Sequence, residues 1–294
     1  DGLQNQSVLY TTTSLDEAPV VLLDPNKLSI DGTVALSGYS LSPDGKLLAY
    51  GTSEGGSDWQ TWHVRDIAAG SDLEDTIEWI KFSSATWAHD NSGFYYSRYD
   101  EPEGDAALLD VNYFQKLYFH RLGTDPAEDR LVYERPDEKE WGFDAHVSHD
   151  GDWLVISVWR GTERKNGLLL LDLTKPDAEV AEITTAFDAD YQVVEITDGT
   201  IYVHTDLEAP MGRVIGIDVE QLAQGAWREI VPESEHRLSG VSLVGDRLFA
   251  HYLTDAHSSV RTFALDGTPK GQVELPGIGS VAGFTGGPGD TETF

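Results

Sequence analysis

The stretch "LSPDGKLLAY" (41–50) joins an acidic turn to an apolar strand that ends on an aromatic residue. Asp44 and Gly45 are turn formers, the first through its side chain and the second through its tolerance of a left-handed backbone. Leu47 to Tyr50 is an apolar run of strand length bounded by turn residues. The fold is decided by the return of this pattern. "WAHDNSGFYYS" (87–97), "VSHDGDWLVIS" (147–157), "ITDGTIYVH" (196–204) and "LVGDRLFAHY" (243–252) repeat it, placing turn aspartates at Asp44, Asp90, Asp150, Asp198 and Asp246. Their separations are 46, 60, 48 and 48 residues, the period of one four-stranded sheet in a radial array.

A second strand ending in a polar turn follows each of these: "TWHVRDIAAG" (61–70), "LYFHRLGTD" (117–125), "LLLLDLTKPD" (168–177), "VIGIDVEQL" (214–222) and "VRTFALDGTPKG" (260–271). An extra loop, "YDEPEGDAALLDVNY" (99–113), accounts for the one long spacing. Short stretches before the first turns, such as "VALSGYSLS" (34–42), carry the small and β-branched residues that suit a crowded inner strand. Helical periodicity is scarce, and "VEQLAQGAW" (219–227) offers a turn or two at most. A sheet of this kind has two apolar faces and must pack against neighbours on both sides.

The expectation is an all-β chain: a seven-bladed β-propeller with four-stranded antiparallel blades. Five complete blades fall at 34–82, 83–143, 144–189, 190–237 and 238–276, with partial blades at 1–33 and 277–294. "SVLYTT" (7–12) and "PVVLLD" (19–24) read as the later strands of a blade, and "GIGSVAGFTGGPGDTETF" (277–294) as another inner strand and turn. Unpaired edges at both ends would invite aggregation, so the chain is expected to be a piece of something longer.

With 51 acidic against 20 basic residues, the formal charge is −31. Such a surface repels phosphate backbones and anionic lipid, which argues against nucleic acid and membranes as partners. The low lysine content suits a salty environment, where charge repulsion is screened over about 8–10 Å. No cysteine is present, which removes disulfides and thiolate chemistry. No apolar run is long enough to span a bilayer as a helix. A cytoplasmic monomer without cofactor or metal is expected, with the periplasm or secretion as alternatives.

Gly51-Thr52-Ser53-Glu54-Gly55 matches the G-x-S-x-G pattern that presents a nucleophilic serine in α/β-hydrolases. That pattern needs a helix after the turn, whereas "WQTWHVRDI" (59–67) alternates like a strand and Gly55-Gly56 suits a hairpin. Ser53 therefore reads as a hairpin residue. His146 and His149 invite a metal reading, but odd spacing on a strand sets them on opposite faces and no third ligand is evident. His63 and His120 recur at equivalent positions and read as framework residues, while Trp59, Trp62 and Trp153 read as packing residues.

The stretches "GLQNQSVLY" (2–10), "LDPNKLSIDGTVALSGYSLSPDGKLLAYGTSEGGSDW" (23–59), "IKFSSATWAHDNSGFYYSRYD" (80–100), "QKLYFHRLGTDPAEDRLVYE" (115–134) and "GSVAGFTGGPGDTETF" (279–294) closely resemble the propeller domain of the prolyl oligopeptidase family. The resemblance runs in order along essentially the whole chain. It implies a seven-bladed propeller attached to a C-terminal α/β-hydrolase domain, in a serine peptidase that cleaves short peptides after proline. The Ser-Asp-His triad of that family lies in the hydrolase segment, so no catalytic residue is expected here. The implied role is to cover the active site and exclude large folded proteins. By the same resemblance, Phe82, Gly142 and Thr162 fall at positions that line the wall of the substrate pocket. A substrate-binding arginine of some members aligns strictly with Trp159, and Arg160 is one residue later. Phe82 also reads as plain core on residue type alone. Loop 99–113 corresponds to a family loop near the domain interface. The alternative is a stand-alone propeller that binds proteins or peptides as a scaffold.

Overall fold

A computed structural model describes residues 4–12, 14, 16–102 and 112–293. Nearly all regular structure is antiparallel β, and the chain divides into two compact units, Asp1–Ala145 and His146–Phe294.

In the first unit, β1 (Leu9–Thr11) and β2 (Val20–Leu23) form a two-stranded ribbon. β3 (Val34–Leu41), β4 (Leu47–Glu54), β5 (Gln60–Asp66) and β6 (Ser71–Ile80) follow as a meander, each strand pairing with the next. β7 (Thr86–Trp87), β8 (Gly93–Arg98), β9 (Lys116–Arg121) and β10 (Arg130–Tyr133) repeat the arrangement. A single residue pair, Ile80 with Arg98, stitches β6 to β8 and joins the two meanders into one hydrogen-bonded sheet. Their faces pack on each other: Trp62, Val64, Ile77 and Ile80 meet Trp87, Phe94 and Tyr96 in one buried cluster.

The division between units falls inside β11 (Trp141–Val147). This strand opens a sheet continued by β12 (Trp153–Arg160), β13 (Gly167–Asp172) and β14 (Ala181–Thr184). β15 (Tyr191–Thr197), β16 (Thr200–Thr205), β17 (Arg213–Asp218) and β18 (Arg228–Val231) make the next sheet. The last comprises β19 (Arg237–Val244), β20 (Arg247–Thr254), β21 (His257–Ala264) and β22 (Pro269–Gln272). Leu154 to Ile156 and Leu168 to Leu171 are continuous apolar runs because these middle strands are covered on both faces. Val155, Leu168 and Leu170 pack on Tyr191, Ile196 and Val203 of the next sheet, and Tyr202 and Val214 pack on Leu238 and Leu248 of the one after. The outermost strand, β22, is exposed throughout and carries Pro269 and Lys270, residue types that discourage pairing at an edge.

Two of the repeated acidic turns share their chemistry. Ser42 Oγ donates to Asp44 and accepts from the Leu47 amide, while the Asp44 carboxylate also accepts from the Lys46 amide. Ser148, Asp150, Trp153 and Asp152 repeat these contacts one sheet-start later. Gly45 and Gly151, at φ of +68° and +81°, close these turns.

Ser53 lies inside β4 opposite Ala35, and the next element after the Gly55-Gly56 turn is strand β5. A Cβ on Gly51 would lie 2.8 Å from Trp62 Nε1 and 2.6 Å from Ser37 Oγ, so the first glycine of the motif makes room for an indole. The motif is hairpin architecture.

One expectation is not met. Residues 277–293 form no strand among the described residues, although the turn near their end is present, with the Asp290 amide donating to the Gly287 carbonyl. No strand pairs with this segment among the described residues, and isolated bonds tie its backbone to β21 and to the turn after β19. The Ser258 amide donates to Gly279, Val281 to Ser258 Oγ, and Gly245 to Gly287. The short helix expected within 219–227 is a single 3-10 turn, Gln224–Ala226.

Candidate functional site

In the first unit the candidate residues sit on the linker that leaves β6. Trp79 and Phe82 have φ of 62° and 56°, a left-handed conformation that is costly for aromatic residues and persists only where the surroundings impose it. Here the imposing groups are identifiable. The Tyr99 amide donates to the Trp79 carbonyl at 3.2 Å. Buried Gln115 donates from Nε2 to the Lys81 carbonyl at 2.9 Å and accepts from the Phe143 amide at 2.7 Å. Ser97 completes the clamp, donating from its amide to Ser83 Oγ and from its hydroxyl to the Phe143 carbonyl.

Gln115 thereby joins the neighbour of Phe82 to the neighbour of Gly142, two positions singled out in the sequence. Gly142 is buried in β11, whereas Phe82 is 53% exposed and is not core. Lys81 Nζ stands 5.3 Å from the Trp59 ring and 5.2 Å from that of Phe82, with Asp58 at 3.5 Å. Trp59 in turn meets Trp79 and Tyr99 edge-on. The result is an exposed aromatic ring on a firm aromatic and cationic base. Asp144 follows Gly142 on the same face of the strand. It is exposed at the strand surface, and partial desolvation there raises its carboxyl to about 6.

In the second unit, Trp159 and Arg160 end β12 and alternate in facing. The Arg160 guanidinium donates to Glu163 at 2.8 Å and lies 4.7 Å over the Phe187 ring. The Glu163 amide donates to the Arg160 carbonyl, closing a turn that carries exposed Thr162. The candidates thus occupy different places in their meanders: Phe82 on the linker after β6, Gly142 in the first strand of its sheet, Trp159 and Arg160 at the end of a second strand, and Thr162 at the turn after it. Loop 99–113 lies largely outside the described residues.

Gln115 is silent in the sequence, whereas His120 and His63 read there as framework and His146 invites a ligand reading. Gln115 has no motif around it. His120 is fully buried, with Nε2 3.0 Å from Asp75 and Nδ1 2.8 Å from Asp129. Burial alone would lower its pKa, but the two carboxylates outweigh that and raise it. Tyr96 and the Gly123 amide supply further donors to the same carboxylates. His63 is held below the usual range by burial. His146 faces Glu195 at 3.6 Å, and no set of three metal-ligating side chains is found among the described residues.

The profile of the family described as "Prolyl oligopeptidase, N-terminal beta-propeller domain" matches residues 1–294. The chain belongs to the prolyl oligopeptidase family. Its fold is the β-propeller of that family. The prolyl endopeptidase of Elizabethkingia meningoseptica is 34% identical over 286 residues, covering 97% of this chain and 40% of the relative. A solved prolyl endopeptidase, in work addressing the role of inter-domain dynamics in catalysis and specificity, superposes with a TM-score of 0.88 at 36% identity. That match covers 99% of this chain and 42% of the other. Prolyl oligopeptidase B from Galerina marginata, bound to a 35mer hydrolysis and macrocyclization substrate, superposes with a TM-score of 0.86 at 26% identity, over 98% and 43% of the two chains. The chain therefore spans about two-fifths of the length of these prolyl oligopeptidase relatives. Among its described residues, no helix is long and apolar enough to cross a membrane.

Proposed function

We propose that this chain is the substrate-gating, non-catalytic propeller of a serine-type prolyl oligopeptidase that cleaves short peptides after proline. Its partner is a C-terminal α/β-hydrolase domain of the parent protein. Family membership along the whole chain supports the pairing, and the inter-domain dynamics of the solved relative support gating. The observation that carries a direct role at the peptide is Phe82. An aromatic ring held half in solvent, on strained backbone fixed by Gln115, is better suited to forming a wall than to filling a core. By family resemblance Gly142 would be a further wall position in the first unit, and Thr162, with Trp159 or Arg160, would be substrate-facing in the second. The wall's contribution would be steric selection and exclusion of water when the domains close.

The test has two arms. The chain alone should neither hydrolyse a fluorogenic proline-containing peptide nor react with a fluorophosphonate probe; labelling of Ser53 would overturn the reading. If the reading frame continues into a hydrolase segment, Phe82→Ala in the full protein should raise KM for short peptides more than it lowers kcat. A frame that stops soon after Phe294 would favour the scaffold alternative.

A further inference from the structure

A cleft of about 250 Å³ in the second unit has a composition that the wall residues do not explain. It is bordered by Asp190 and Gln192 at the start of β15, His204 and Asp206 at the end of β16, Arg164, and Arg237 at the start of β19. Nearby Arg160 and Arg213 each pair with a carboxylate. Arg164 and Arg237 have no carboxylate partner among the described residues, yet they open onto one cleft.

The carboxylates opposite are only half used. Asp206 accepts from the Asp190 amide through Oδ1, and Asp190 accepts from Gln192 through Oδ2, which leaves one oxygen of each uncommitted to protein among the described residues. Burial keeps the His204 pKa below its usual value, so two cations and two anions balance. Pro210, Met211 and Leu238 supply an apolar side. The frame is rigid. The Leu238 amide donates to Met211 at 2.7 Å, and the Met211 amide donates to Glu233 at 2.7 Å. Gly212, at φ +87°, brings its backbone so close that a Cβ would lie 3.0 Å from His204 Nε2.

We infer that this cleft binds a small zwitterion, a free amino acid or dipeptide. Arg164 and Arg237 take its carboxylate, and Asp190 and Asp206 take its ammonium. Forked guanidinium donors suit a carboxylate, and the cleft falls below the roughly 300–1,000 Å³ of pockets for drug-sized ligands. Short peptides carry both end charges, so the cleft would hold a terminus or product of the proposed peptidase; that link rests on the proposed function, whereas the binding itself does not.

The test is calorimetric titration of the chain with alanyl-proline and alanyl-leucine, each also as its C-terminal amide and its N-acetyl form. Both free dipeptides should bind at one site, and either blocked form should bind about tenfold or more weakly, as expected for loss of a charge-assisted contact. Arg164→Met and Arg237→Met should each cost a similar factor, whereas Lys270→Met, on the exposed edge strand, should leave binding unchanged. Histidine resonances should report contact at His204. No saturable binding up to about 10 mM, the weak end of specific affinity, would overturn the inference. So would equal binding of blocked and free forms, or of the arginine variants and the wild type. If an arginine variant fails to fold by circular dichroism, Asp206→Asn, which keeps an acceptor for the Asp190 amide, must show the same loss or the inference falls. Equal affinity for the proline and leucine dipeptides would leave the cleft intact while denying it a role in proline selection.

Discussion

His120 Nδ1 lies 2.8 Å from Asp129 Oδ1, and neither side chain is exposed to solvent. Asp75 approaches the other ring nitrogen at 3.0 Å. Both carboxylates can accept only if both nitrogens carry a proton, which makes the ring a buried imidazolium and accounts for its raised pKa. A folded pKa above that of the unfolded chain gives stability that is fully present below about 6.5 and fades as pH rises through the folded value. The melting temperature should therefore fall on the alkaline side in the wild type, and the His120 ring should titrate late by NMR. His120→Gln should flatten that dependence and cost about 3–5 kcal/mol, the range for removing one partner from a buried ion pair. A variant melting like the wild type would show that the network contributes nothing.

Gln115 satisfies a carbonyl on one side and an amide on the other. Gln115→Leu keeps the volume and strands both, at about 1–3 kcal/mol for each buried group left unpaired. Denaturant unfolding should show a drop of that order. Gln115→Glu, which retains the acceptor for Phe143, should lose less.

Phe82 is predicted to be costly in place. Its left-handed backbone stores about 1–3 kcal/mol, and its half-exposed ring recovers little by burial. Phe82→Gly should leave the unfolding midpoint unchanged or higher, despite the loss of a large apolar side chain. A clear fall would mean that the ring is a structural residue.

The two halves of the glycine-serine motif should separate cleanly. Ser53→Ala is expected to be silent in stability, because the hydroxyl has no hydrogen-bond partner among the described residues. Gly51→Ala forces a methyl group against Trp62 and should cost about 1–3 kcal/mol, the usual penalty for overpacking. Chemical denaturation of the pair would settle the order.

The charge of −31 predicts dependence on salt. Thermal melts at low ionic strength should lie below those at high salt, because screening relieves like-charge repulsion. Melts that coincide would count against a salt-adapted surface.

The sheet order was legible because each turn advertises itself. Ser42-Asp44 and Ser148-Asp150 bond to amides within five residues, so local sequence states the geometry outright. Some strands were equally legible, since β13 is a nearly continuous apolar run and edge strand β22 is short and polar. What stayed hidden depends on long separations. His120 finds Asp75 45 residues away, and Gln115 finds Phe143 28 residues away; nothing in either neighbourhood signals the partner. The exposure of Phe82 was hidden too, because a single aromatic after an apolar strand reads as core until its backbone angle is known. Residues 277–293 carry only short apolar stretches between glycines, and such composition neither favours a strand nor supplies a partner for one.

Among the described residues, the Ile80–Arg98 pair and the adjacent Tyr99-to-Trp79 backbone bond couple the two meanders of the first unit, and that clasp sits two residues from Phe82. Arg98 is itself anchored, with its guanidinium 4.7 Å over Tyr118 and a bond to the Pro126 carbonyl. Slippage of one meander against the other therefore has a very short lever arm to the exposed ring, and a disturbance far out on the second sheet would be felt there as a tilt.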